Sequence, residues 1–75
     1  MRVFIVLQWF YEGDSNLVDS FVGAKLTRKE ASKLIAPDDI ILNNNDFGIY
    51  RGELLPKEWG SYGDSPKYEI REVEL

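Results

Sequence analysis

The sequence contains no cysteine and no histidine. Without cysteine no disulfide can staple the fold, so the chain does not read as a small secreted scaffold. Without either residue there is no Cys/His zinc site, and no thiol or Ser–His nucleophile can be assembled. Long apolar runs are also missing. Val3–Leu7 is followed at once by Gln8, far short of the ~20 residues a spanning helix needs, and no small-residue cleavage site comes after it. A cytoplasmic protein is expected. Basic residues are in the minority: nine against thirteen acids leave a net charge of −4 and a pI of about 4.6. Nucleic-acid binding draws its strength from Lys and Arg displacing counterions, so this balance opposes it.

Hydrophobic residues make up 44% of the 75-residue chain and charged residues 29%. That mixture specifies one globular domain over residues 1–75. A chain of this size buries only roughly 60–65% of the surface its unfolded form exposes. A recessed active site would compete with the core for the same few side chains. Together with the missing catalytic residue types, this predicts a protein that is not an enzyme and needs no cofactor.

Arg2–Tyr11 reads as a strand, with Val3, Ile5, Leu7 and Trp9 on one face and Phe4, Val6 and Phe10 on the other. Being apolar on both faces, it is expected to lie centrally. Turn residues at Glu12–Asn16 lead into a second strand, Leu17–Leu26, completing a hairpin. Thr27-Arg28-Lys29-Glu30 fits a capping box, with Leu26 placed to staple onto Ala31. The helix it starts is expected over Arg28–Ile35, ending before Pro37. Asp39–Leu42 reads as a short strand or an extended connector, Asn43–Asp46 as a turn, and Phe47–Leu54 as a third strand. Pro56–Pro66 reads as a loop. Lys67–Leu75 closes the chain as a strand in which Tyr68 and Ile70 share one parity and Val73 and Leu75 the other. Either a bulge near Arg71–Glu72 or burial on both faces reconciles them.

The fold class that follows is α+β: an antiparallel sheet of three to four strands, the terminal ones side by side, with one short helix packed on one face. If the helix covers the first face, something must bury Phe4, Val6 and Phe10. The candidates are the Phe47–Tyr62 segment and a second protein chain.

No cluster carries catalytic or metal chemistry at a recognisable spacing. Asp38, Asp39 and Asp46 with Asn43–Asn45 read as turn chemistry. Glu12, Asp14 and Asn16 alternate like early calcium ligands, but Leu17 and Gly23 stand where that loop needs glycine and glutamate. Lys25, Arg28, Lys29 and Lys33 form a small basic patch around the helix. The stronger lead is aromatic. Phe47, Tyr50, Trp59 and Tyr62 crowd into a turn-rich stretch, with Arg51 among them, and Trp, Tyr and Arg dominate interface hot spots. With the acids of the last strand, Glu69, Glu72 and Glu74, they form the expected contact set for a protein partner. The alternative use of the aromatics is to cover the open sheet face.

The pieces VFIVLQWFYEGD, TRKEASKLI and YEIREVEL, about half the chain, resemble small uncharacterised proteins of bacteriophages and mobile elements. In size and acidity the chain also resembles phage inhibitors of host defence, including anti-restriction and anti-CRISPR proteins. The resemblance implies a viral protein that occupies the surface of a host defence or nucleic-acid-handling protein. Two other readings stand beside it. One is a single-stranded nucleic-acid binder stacking bases on exposed aromatics; the other is a self-associating protein whose sheets pack through Phe4, Val6 and Phe10. The chain is expected as a monomer or homodimer, away from membranes.

Overall fold

The computed structural model describes residues 1–12, 16–57 and 66–75. Trp59, Tyr62 and the turn at residues 13–15 lie outside them. The strands β1 (Arg2–Glu12), β2 (Asn16–Lys25), β3 (Ile40–Leu42) and β6 (Lys67–Glu74) form one four-stranded sheet in the order β2-β1-β6-β3. β1 is central, pairing antiparallel with β2 on one side and β6 on the other. The sheet is not wholly antiparallel as expected, because β3 runs parallel to β6. Between them the chain also forms a separate two-stranded hairpin, β4 (Phe47–Tyr50) and β5 (Glu53–Pro56). The described residues thus form a sheet-rich domain with one short helix, α1 (Arg28–Ser32), and a mixed sheet.

The helix starts where its cap dictates. Thr27 is extended, and its hydroxyl oxygen accepts a hydrogen bond from the Glu30 amide at 3.1 Å. It is shorter than expected: after Ser32 the amides of Leu34 and Ile35 bond three residues back, to Ala31 and Ser32, tightening the last turn. Leu26 does not act as a staple, for it stays 65% exposed. Ala31 in the helix and Ile35 in the turns just past its end are buried with Val6, and Phe4, Tyr68 and Ile70 pack around them. Arg28 lays its guanidinium over the Phe4 ring at 5.4 Å. Gly23, opposite Val6, makes room for this packing: a Cβ there would lie 2.9 Å from Leu34 Cδ1.

The expected assignment of faces is therefore inverted. α1 covers the Phe4–Val6 face, and Phe10, further along it, stays exposed. The Trp9 face receives the β4–β5 hairpin instead, Phe47 meeting Trp9 edge-on at 5.9 Å between ring centroids. Both sides of β1 are apolar, and only tertiary contacts decide which side the helix takes. No bulge explains the parity change in β6, whose register against β1 runs unbroken from Trp9↔Lys67 to Arg2↔Glu74. Tyr68 and Ile70 are half-buried on one face and Val73 on the other, while Leu75 stays 74% exposed. The sheet's irregularity lies in β2, where Val6 faces Gly23, Leu7 faces Phe21, and Val22 is left over as a bulge. Lys67 is fully buried in β6, opposite Trp9, and no buried side-chain nitrogen or oxygen among the described residues lacks a hydrogen-bond partner.

Phe47–Leu54 is not one strand, because the chain reverses within it. Ile49 pairs with Leu54 and Tyr50 with Glu53, leaving Arg51 (φ 53°) and Gly52 (φ 83°) as a two-residue loop with both φ positive. That geometry matches the twist of the strands it joins. Gly52 adopts it freely, whereas Arg51 bears a penalty of about 1–2 kcal/mol. Arg51→Gly or Arg51→Asn is expected to stabilise the fold by about 1 kcal/mol, which in a domain of this size raises Tm by about 4–8 °C. Thermal unfolding by circular dichroism measures it, and an unchanged or lowered Tm would contradict the loop geometry.

Candidate partner-binding surface

The turn ahead of β4 is built from its own side chains. Asn43 Oδ1 accepts from the Asn45 amide and Asp46 Oδ2 accepts from the Asn43 amide, both at 2.9 Å. This capping box opens a single 3₁₀ turn at Asn44–Asp46, so these acid and amide side chains do turn work. At the hairpin's other end the Lys57 amide donates to the Asp46 carbonyl at 2.6 Å, closing its base. Phe47 and the buried Pro56 are cross-strand partners there, and Phe47 anchors on Trp9.

Beyond that anchored base the hairpin projects apolar side chains into solvent. Ile49 is 72% exposed, Tyr50 61% and Leu54 60%. Ile49 and Leu54 face each other across the strands, on the side that carries Phe47 and Pro56. Arg51 stacks its guanidinium over Tyr50 at 5.3 Å. An open cleft of about 440 Å³ runs between the hairpin and the end of β1–β2, lined by Tyr11, Leu17, Ile49, Tyr50, Leu55 and Lys57 among others. Tyr50 points from the opposite side of the hairpin to Ile49 and Leu54, so the tip exposes large apolar groups in both directions, and such exposure marks a contact surface.

The candidate residues separate into distinct roles. Tyr50 and Arg51 lie together at the exposed tip, while Phe47 is half-buried and structural. Glu69 sits with its side chain 16% exposed, accepting from Trp9 Nε1 at 3.0 Å and from Arg71 Nε and Nη2 at 3.1 and 2.9 Å. These bonds, with the nearby Asp19 carboxylate, hold the Arg71 guanidinium above its ordinary pKa against the opposing effect of burial. A raised basic pKa stabilises below the unfolded value and is lost only above the folded one, so this contribution persists at every practicable pH. Glu72 pairs with Arg2 at 3.5 Å, and Glu74 with Arg2 and the Met1 ammonium at 3.4 and 3.2 Å. The acids of β6 are thus matched by their own chain and form no unpaired acidic strip.

Ile49, Leu54 and Leu55 were absent from the candidate set. The signal for them is Arg51-Gly52 flanked by Ile49-Tyr50 and Glu53-Leu54, a two-residue turn whose usual Asn is replaced by Arg. No family model, curated protein or solved structure matches the chain. Among the described residues no helix is long and apolar enough to cross a membrane.

Proposed function

We propose that this protein is a non-enzymatic binding module that engages another protein through the β4–β5 hairpin. The observation that carries this reading is the exposure of Ile49, Tyr50 and Leu54 at the tip of a hairpin whose base is pinned by Phe47 on Trp9. A pinned base holds the tip in one conformation, which lowers the entropy lost on docking. Tyr50 and Arg51 are of the residue types that dominate interface hot spots, and Ile49 and Leu54 add an apolar pair on the hairpin's other side. The likeness in size and acidity to phage inhibitors of host defence makes a host defence or nucleic-acid-handling protein the first partner to test.

The test compares affinity capture from bacterial lysate by the wild-type chain and by an Ile49→Asp/Leu54→Asp variant. Recovery of any specific partner is expected to fall about tenfold or more in the variant, the size of a hot-spot loss of roughly 1.4 kcal/mol or more. Both sites being exposed, its Tm is expected within a few degrees of wild type. Equal recovery by a folded variant would remove the hairpin from the binding surface.

A further inference from the structure

Among the described residues, the outer edge of β6 is only partly used. β3 covers it from Lys67 to Glu69 and then ends at Leu42, where the chain turns away. The Leu75 amide bonds to the Met1 carbonyl and the Ile40 amide to the Pro66 carbonyl. In β6 the odd-numbered residues therefore address β1 and the even-numbered ones address β3. Continued along the strand, this alternation points the N–H and C=O groups of Glu72 and Glu74 outward, past the end of β3. A cavity of about 470 Å³ lies at this point. Its lining comes from both faces of the sheet: Arg28, Ile70 and Glu72 from the helix side, Leu42, Glu69 and Arg71 from the other. A cavity that straddles a sheet edge in this way occupies the space into which β3 would have continued.

We infer that this slot accepts an extended peptide segment bearing a carboxylate, which adds to β6 in line with β3. The backbone groups of Glu72 and Glu74 supply the ladder bonds that strand addition uses. Charge selects the occupant. Of the slot's four charged residues, Glu69 and Arg71 bond each other and Glu72 pairs with Arg2. Arg28 rests on Phe4 and makes no ion pair among the described residues. An acidic side chain on the helix side of an added strand meets that cation, whereas a basic one is repelled by it. The opposite sheet edge is a poorer acceptor, because the Val22 bulge interrupts it. This surface is separate from the hairpin tip and does not depend on its function.

The probes are a short alternating Val/Thr peptide with one central Glu, its Lys counterpart, and the Glu peptide methylated on its backbone nitrogens. On isotope-labelled protein the Glu peptide is expected to bind in the millimolar range and to slow amide exchange at Glu72 and Glu74. The Lys and N-methylated peptides are expected to bind about tenfold more weakly. Arg28→Gln is expected to abolish the preference for Glu over Lys, while the Ile49→Asp/Leu54→Asp variant binds the Glu peptide like wild type. Equal binding of the Glu and Lys peptides, undiminished binding of the N-methylated peptide, or unchanged exchange at Glu72 and Glu74 would each overturn the inference. Should Arg28→Gln fail to fold, the three peptides on the wild-type chain still decide it.

Discussion

Val6→Asp is expected to leave the chain unfolded at room temperature. Val6 is fully buried with Ala31 and Ile35, where α1 crosses the sheet. No carboxylate can reach water there without parting helix from sheet, and an unpaired buried charge costs several kcal/mol after relaxation. The total available to a domain of this length is roughly 4–11 kcal/mol. Far-UV circular dichroism and amide chemical-shift dispersion report the outcome directly. The result also separates two architectures. Were the Phe4–Val6 face an interface between copies, the variant would become a folded monomer; with that face beneath the helix, no folded monomer is expected. A dispersed, monomeric spectrum would overturn the packing described above.

Trp9→Ala is expected to cost about 3–5 kcal/mol, the usual range for removing a buried aromatic. Three things are lost together: the buried indole, the Nε1–H that donates to Glu69 and the ring on which Phe47 rests. Trp9→Phe keeps most of the packing and removes the donor, so it is expected to cost about 1–2 kcal/mol. Denaturant midpoints measure both. Amide exchange across Phe47–Pro56 should quicken far more in the alanine variant, because the hairpin loses its footing. An alanine variant within about 1 kcal/mol of wild type would show that Trp9 does not carry the hairpin.

Both predictions rest on features that differ in how plainly the residues announce them. The central place of β1 is legible because Phe4 and Val6 are as apolar as Leu7 and Trp9, and the cap at Thr27 is a local chemical pattern. The pairing of β1 with β6 follows from two strands each needing a partner. Which face takes the helix is not legible, since β1 is apolar both ways and the face broken by Gln8 is the one the helix covers. The parallel direction of β3 is hidden as well, for three residues carry no directional signal. The β4–β5 hairpin is concealed by one side chain, Arg51, standing where asparagine or glycine ordinarily marks the turn. For the same reason the aromatic crowding around Tyr50 singles out this stretch without singling out Ile49 and Leu54, whose exposure follows from that reversal. Glu69, Glu72 and Glu74 read as an acidic strip because composition counts charges and cannot see Arg2 reaching across from β1 or Arg71 bonding Glu69 along β6.

The pairing of the first strand with the last has a consequence for how the chain is made. A ribosome delivers Trp9 60 residues before Glu69, so the side of β1 that pairs with β6 stays unmatched over that interval. The β1–β2 hairpin and the α1 turn can assemble on their own, but the sheet cannot close until β6 emerges. Closure across so long a stretch is slow compared with local structure, in the millisecond-to-second range of non-local sheets. Until β6 emerges the nascent polypeptide therefore presents a sticky, unpaired strand of the sort that chaperones recognise.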